Sequence, residues 1–99
     1  RLKQNGRWEL APAYDVCYSY DPTNVWVSQH TLSINGKHKE TSRADLLAIA
    51  KSINTKKAER IINEIRDVVC EWPKYAEVVN VSENLKKGIS RNLIATKFI

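Results

Sequence analysis

The feature that most constrains the fold is an apolar stripe with helical spacing in the second half of the chain. Its members recur every three or four residues, and charged residues fill the positions between them. Such a stripe fits one face of an α-helix that packs against a core. We therefore predict a helix over residues 56–72, ended by Pro73, since proline cannot continue a helix. The members are Ala58, Ile61, Ile62, Ile65, Val68, Val69 and Trp72.

A second helix is predicted just before this stripe, over residues 43–53. Ser42 is followed three residues later by Asp45. This spacing resembles a capping box, in which each side chain satisfies a backbone amide near the other residue. Asn54 or Thr55 is then predicted to cap the longer helix.

The end of the chain predicts two further short elements. Residues 75–81 suggest a short helix or turn, and Ser82 opens a last helix. Gly88 lies inside that helix and costs about 1 kcal/mol relative to alanine, so the helix is expected to be the least secure. Its predicted inner stripe is Leu85, Ile89, Leu93 and Phe98.

The first forty residues carry signals for strands. Residues 1–10 predict a β-hairpin about Asn5-Gly6, because both central positions of a type I′ turn need a positive φ. Apolar and polar residues alternate from His30 to Lys37, which predicts a half-buried strand ended by Asn35-Gly36. The loop between these elements is predicted to contain a short strand at Val25–Val27.

Strands followed by helices are typical of α+β proteins. We therefore predict an α+β fold in a single domain over residues 1–99, with the strands in residues 1–40 and a helical subdomain in residues 41–99. The chain starts at Arg1 and contains no Met. We expect it to be a fragment of a longer protein.

Asp15 is the leading candidate for a functional residue. It lies between Tyr14 and Val16, just past Pro12, which cannot donate to a sheet and should end the predicted hairpin. A carboxylate among apolar residues needs a partner if it is buried. Asp15 either caps a short helix that follows or binds a metal ion such as Mg²⁺, which prefers hard oxygen ligands. The spacing alone favours the cap.

The other reactive side chains predict no self-sufficient active site. Cys17 and Cys70 are too far apart for a clustered zinc site, and reduced thiols of a cytosolic protein are favoured over a disulfide. His30 and His38 lie at opposite ends of the predicted strand and cannot meet within it. The three glycines are scattered, so they form no phosphate-binding loop. No apolar run is long enough to span a bilayer.

Charge and aromatic content permit binding functions without requiring them. The chain has a formal net charge of +5, and residues 74–99 contain five basic and two acidic residues. This surplus suits nucleic acid or an acidic protein, although interleaved charges more often form a solvated face. Tyr18, Tyr20 and Trp26 could stack on bases, but such residues more often cover a small core.

Four short blocks carry a resemblance to a known family. In this order they resemble the C-terminal region of HipA-family toxins, which are bacterial serine/threonine protein kinases of toxin–antitoxin systems. The resemblance spans roughly Trp8 to Trp72. The blocks are Trp8–Val16, His30–Lys37, Thr41–Ala48 and Glu71–Pro73.

The resemblance implies that Tyr14 lines a nucleotide site and that Asp15 binds the Mg²⁺ of Mg-ATP, much as the Asp of the Asp-Phe-Gly motif does in other kinases. It favours the ligand interpretation of Asp15. In that family the Gly-rich loop, the phosphate-binding Lys and the catalytic Asp and Asn come earlier in the chain. We therefore expect no catalytic residue in this fragment, and no stable binding of Mg²⁺ or ATP by the fragment alone.

The implied partners are a helix-turn-helix antitoxin that binds operator DNA and a protein substrate, for which aminoacyl-tRNA synthetases are the known class. The implied location is the cytoplasm, with no membrane partner and with nucleic acid reached only through the antitoxin. A competing hypothesis is a non-enzymatic module that binds an antitoxin, an acidic protein or nucleic acid through its basic C-terminal helices. A third hypothesis is an oligomerisation domain.

Overall fold

The computed structural model describes residues 1–98 and shows a helical protein. Within these residues there are four α-helices and a 3₁₀-helix but no β-strand, so the fold is all-α and the predicted α+β class is wrong. The helices are α1 (Arg43–Ser52), α2 (Ala58–Cys70), α3 (Trp72–Val78) and α4 (Glu83–Asn92), followed by the 3₁₀-helix (Ile94–Lys97).

The predicted hairpin over residues 1–10 is reduced to a tight turn with one antiparallel bridge, between Leu2 and Trp8. The Gly6 amide donates to the Lys3 carbonyl at 2.9 Å, and Gly6 alone of the predicted turn pair has a positive φ, +79°. Both bridge residues are exposed. The arms do not extend into strands because an isolated two-stranded ribbon is marginal without a surface to pack on.

The predicted strand over residues 30–37 is also wrong. Asn35 and Gly36 have φ values of +51° and +77°, as a type I′ turn requires. Ile34 and Lys37 exchange hydrogen bonds of 2.7 and 3.0 Å across this turn. The chain therefore reverses inside the segment. The short strand predicted at Val25–Val27 is instead a turn, closed by the Val27 amide on the Asn24 carbonyl at 3.2 Å.

The predicted start of the first helix is confirmed. The Ser42 hydroxyl accepts from the Asp45 amide at 3.3 Å, and the Asp45 carboxylate accepts from the Ser42 amide at 2.8 Å. These two bonds form the capping box that the spacing predicted, and α1 begins at the next residue, Arg43.

The single helix predicted over residues 56–72 is divided between α2 and α3. The N-cap of α2 is Lys57, which has a φ of +58° and makes no side-chain capping hydrogen bond. The predicted caps at Asn54 and Thr55 are therefore wrong. The helix ends at Cys70, and Pro73 lies in the first turn of α3. Proline suits that position because the first-turn amides have no partner within the helix.

The last helix begins as predicted, with the Ser82 hydroxyl accepting from the Leu85 amide at 3.4 Å. Two hydrogen bonds between residues far apart in sequence hold the helices together. The Trp72 indole donates to the Lys86 carbonyl at 3.2 Å, and the Arg66 guanidinium donates to the Phe98 carbonyl at 3.1 Å. The buried apolar core is small and consists of Ile62, Ala76, Ile89 and Phe98.

Only part of the α2 stripe contributes to that core. Ile62 is buried, whereas Ile61, Ile65 and Val68 remain exposed. Four helix pairs pack: α1 on α2, α2 on α3, α3 on α4, and the 3₁₀-helix on α2. In the part of the chain that the structure describes, no helix is long and apolar enough to cross a membrane.

Candidate functional site

Tyr14 and Asp15 lie in an irregular stretch that we call the site segment, residues 12–18. The segment has no helix or strand of its own, and Tyr14 is 80% exposed. The Asp15 carboxylate is exposed and makes no hydrogen bond or ion pair with any of residues 1–98. The cap interpretation of Asp15 is wrong, because the first helix begins only at Arg43 and has Ser42 as its cap.

The backbone at Asp15 is in the left-handed region, with φ of +54°. Few residue types other than glycine adopt this conformation readily, and Asp and Asn are among those that do. The aspartate therefore suits the local conformation, and its carboxylate is exposed and uncompensated within residues 1–98. Such a group can provide a single hard oxygen ligand.

That single ligand has no protein partner nearby. No group of three or more His, Cys, Asp or Glu side chains that could hold a metal ion occurs among residues 1–98. Mg²⁺ is commonly held by one or two carboxylates together with waters and substrate phosphates. Asp15 therefore fits the role of one Mg²⁺ ligand but does not form a complete site.

Tyr18, at the end of the site segment, lies against the helices. Val16, Cys17 and Tyr18 line one side of an apolar groove of about 290 Å³. The Tyr18 hydroxyl accepts a hydrogen bond from the Asn92 side-chain amide at 3.1 Å. The helical side of the groove consists of Val68, Val69, Trp72, Tyr75, Ile89 and Leu93.

The aromatic residues near the segment do not form the core cover that we predicted. Tyr18 and Tyr20 pack edge to face with ring centroids 6.4 Å apart. Trp26 is 84% exposed and therefore covers no core. A stacking platform for bases is not indicated either, because the two tyrosine rings are steeply inclined, at 72°.

Asp45 is a structural centre whose full set of partners the sequence did not reveal. It is only 4% exposed. Besides the capping contacts, its carboxylate accepts from the Lys37 ammonium at 2.8 Å and the Asn35 amide at 2.9 Å. These hydrogen bonds, led by that of Lys37, hold the pKa of Asp45 well below its ordinary value. The signal that could have revealed this arrangement is the Asn-Gly turn placed ten residues before the capping acid.

The two histidines meet, contrary to our prediction. Because the chain reverses at Asn35-Gly36, the His30 amide donates to the His38 carbonyl at 2.8 Å. The His38 ring nitrogen Nδ1 lies 2.8 Å from the His30 carbonyl oxygen. This is a backbone contact, and it does not create a metal pair. Cys17 and Cys70 are both exposed free thiols.

The basic C-terminal region is only partly neutralised. Lys86 pairs with Glu83 at 2.7 Å and with Glu77 at 3.4 Å, and the hydrogen bond to Glu83 is the main cause of its raised pKa. In contrast, Lys87 and Arg91 form no ion pair within the described residues. They are four residues apart on α4 and therefore neighbours on one helix face.

Comparison with known protein families gives one result. The family model of the HipA-like C-terminal domain matches residues 1–72. The chain belongs to this family. Neither the curated proteins nor the solved structures gave a match.

The HipA-like match includes the site segment, the Asp45 contacts, α1 and α2. It ends at Trp72, the first residue of α3. The match therefore confirms the resemblance on which Tyr14 and Asp15 were selected. Almost all of α3, all of α4 and the 3₁₀-helix follow the matched range.

Proposed function

We propose that this chain is the C-terminal part of a HipA-like serine/threonine protein kinase, in which Asp15 is a ligand of the Mg²⁺ of Mg-ATP and Tyr14 lines the nucleotide site. The observation that carries the proposal is the exposed Asp15 carboxylate within a chain of the HipA-like family. In phosphoryl transfer, Mg²⁺ bridges the phosphates and neutralises the charge that develops on them.

The chemistry of the site segment supports this role. A carboxylate that binds a cation must not already be committed to another charge, and Asp15 has no partner within residues 1–98. Asp45 is the contrasting case, since hydrogen bonds from Lys37 and Asn35 already occupy its oxygens. Of these two aspartates, only Asp15 is available to a ligand.

A single metal ligand, Asp15, and a single aromatic side chain, Tyr14, do not form an active site. Phosphoryl transfer also needs a phosphate cradle, a cation on the phosphates and a catalytic Asp. We propose that other parts of the natural protein supply these groups and that the 99-residue chain alone is inactive. The proposed partners are a helix-turn-helix antitoxin and a cytosolic protein substrate of the aminoacyl-tRNA synthetase class.

The test is a charge-removing substitution, Asp15→Asn, in the natural protein that carries this chain. Asparagine keeps the shape and tolerates the positive φ, so only the ligand charge is lost. We expect Mg²⁺-dependent phosphoryl transfer to fall on the order of a hundredfold or more, because a preorganised charge contact in the transition state is removed. Transfer of labelled phosphate from ATP to protein is the measurement.

Glu40 provides the matched control. It is also an exposed carboxylate with a positive φ, +55°, and it forms no ion pair among the described residues. Glu40→Gln is expected to leave phosphoryl transfer unchanged. Near-normal transfer by Asp15→Asn would contradict the proposal.

A second candidate function, binding of nucleic acid or an acidic protein by α4, is favoured by Lys87 and Arg91, which form no ion pair within residues 1–98. Each phosphate contact adds about one unit to the slope of log affinity against log salt. Replacing both residues by alanine should lower that slope by about two, measured by titration of duplex DNA at several salt concentrations.

Lys86→Ala is the control, because Glu83 and Glu77 already neutralise Lys86. The absence of binding at low salt would exclude nucleic acid.

A further inference from the structure

The site segment belongs to a part of the chain that has few attachments. No residue before Thr41 is buried, and the apolar side chains of Leu10, Val16 and Val25 are almost fully exposed. A ligand on such a chain is held in place only if a neighbouring residue is fixed. The nearest fixed residue after Asp15 is Tyr18.

One side-chain contact fixes Tyr18. Among residues 1–98, the bond from the Asn92 amide to the Tyr18 hydroxyl is the only hydrogen bond that joins residues 10–29 to any helix. The contact spans 74 positions of sequence. It therefore links the HipA-like matched range to α4, which lies outside it.

The donor in this contact is itself held in position. The Asn92 amide also donates to the Gly88 carbonyl one helical turn earlier, at 3.2 Å. This second bond restricts the amide to the orientation in which its other hydrogen can reach Tyr18, because an amide nitrogen has two donors. Asn92 is the last residue of α4, so the contact is made from the end of a helix.

Packing adds to the hydrogen bond. The Tyr18 side chain lines the groove between the site segment and the helices, and its ring meets Tyr20 edge to face. Three residues of extended chain span at most roughly 10 Å. Fixing Tyr18 therefore restricts Asp15 to a small volume beside the groove.

We propose that Tyr18 and Asn92 are a positioning pair that holds Asp15 where it binds Mg²⁺, an inference that rests on the proposed kinase function. Neither residue contacts the nucleotide or the metal. The pair acts through the three-residue connection from Tyr18 to Asp15. Its loss should weaken the response to Mg²⁺ more than it weakens folding.

The first test is independent of catalysis and uses the 99-residue chain. Nitrogen-15 relaxation gives backbone order parameters for Asp15, Val16 and Cys17. We expect Tyr18→Phe and Asn92→Ala each to lower them toward the flexible range, below about 0.6. Tyr20→Phe is the matched control, since Tyr20 has the same exposure, 41% against 42%, and its hydroxyl makes no hydrogen bond up to residue 98.

The second test uses the natural protein and the Mg²⁺ concentration for half-maximal phosphoryl transfer. Loss of a neutral hydrogen bond corresponds to about a fivefold change, so Tyr18→Phe and Asn92→Ala should each raise that concentration about fivefold. Combining the two should add nothing further, because both remove the same bond.

The outcomes separate the two proposals. Unchanged order parameters in both Tyr18→Phe and Asn92→Ala would overturn the positioning pair, whatever the activity. If Tyr18→Phe and Tyr20→Phe shift the Mg²⁺ dependence equally, the hydroxyl contact has no specific role and the inference fails. Wild-type protein without Mg²⁺-dependent transfer would instead overturn the proposed function, while the order parameters would still report on the attachment of the segment.

Discussion

Two aspartates of this chain lie in opposite surroundings. Asp45 is buried, and four hydrogen bonds from Asn35, Lys37 and Ser42 reach its carboxylate. Asp15 is exposed and has no such partner within residues 1–98. The first carboxylate organises the start of α1, and the second remains available to a cation.

The surroundings of Asp45 predict how stability responds to acid. Its folded-state pKa lies below the unfolded value of about 3.9, so the folded protein binds fewer protons than the unfolded chain in this range. The stabilisation from Asp45 is complete above the unfolded pKa and is lost as the pH falls toward the folded pKa. We expect the free energy of unfolding to fall as the pH is lowered from about 5, measured by urea denaturation.

Asp45→Asn is the comparison variant for that series. It should be less stable at neutral pH and should lose less stability on acidification, because one linked carboxylate is absent. Asp21→Asn is the control, since the pKa of Asp21 is also lowered, by the Thr23 hydroxyl, but on an exposed loop. If the free energy of unfolding of wild type and of Asp45→Asn depends on pH in the same way, the assignment of the acid response to Asp45 is refuted.

At the scale of the elements, two glycines allow the effect of backbone conformation on stability to be separated from the effect of steric clashes. Gly88 lies inside α4, and Gly36 has a positive φ of +77° in its turn. A Cβ atom added at either position meets no atom within 4 Å. Differences between alanine substitutions at these positions therefore reflect the backbone alone.

We expect the two alanine substitutions to change stability in opposite directions. Gly88→Ala should stabilise the protein by about 0.5–1 kcal/mol, because alanine loses less conformational entropy in a helix. Gly36→Ala should destabilise it by about 1–2 kcal/mol, because an L-residue is strained in the left-handed region. Thermal unfolding followed by circular dichroism measures both, and changes of equal sign would contradict the prediction.

The elements that the sequence predicted correctly are those encoded by neighbouring residues. The capping box at Ser42 and the cap at Ser82 depend on contacts three residues apart, so the spacing is sufficient to find them. The strands were predicted from alternation, but a strand forms only when another surface covers it. No side chain before Thr41 is buried in the described part of the chain, and the alternating segments became turns.

For the candidate site, too, local sequence signals identified some residues and missed those whose contacts are distant in sequence. Asp15 was selected from its place in a family motif and its role stays a prediction, whereas local spacing correctly predicted the contact of Ser42 with Asp45. Asn92 was missed, because nothing near it in sequence indicates a contact with Tyr18 that spans 74 positions. The division of the long helix at Glu71 was missed because Pro73 fits a helix start as well as it follows a helix end.

At the scale of the whole molecule, the chain is more expanded than its length requires. Its radius of gyration is 16.0 Å, whereas a compact domain of this size has one of about 13 Å. Among residues 1–98, the four buried apolar residues all lie after residue 60. Residues 1–40 therefore expose apolar surface that a compact domain would cover.

This expansion predicts a weak unfolding transition for the 99-residue chain. A compact protein of this length would have an unfolding enthalpy of about 70 kcal/mol near 60 °C. We expect at most about 40 kcal/mol by differential scanning calorimetry, because the 40 residues before Thr41 contribute no buried side chain and only the remaining 59 do. A value close to that of a compact domain would contradict this prediction.

The separations of the Asp45 and Tyr18 contacts in sequence also imply an order of folding. The partners of Asp45 lie three, eight and ten residues away, so the loops they close are short. The Tyr18–Asn92 contact closes a loop of 74 residues, and the entropy cost of closure rises with loop length. Because the entropy of loop closure must be offset before a distant contact stabilises the chain, we expect local contacts to form before distant ones. The turn at Asn35-Gly36 and the start of α1 should therefore be complete while the site segment is still unattached, so Asp15 acquires its position in the last step of folding.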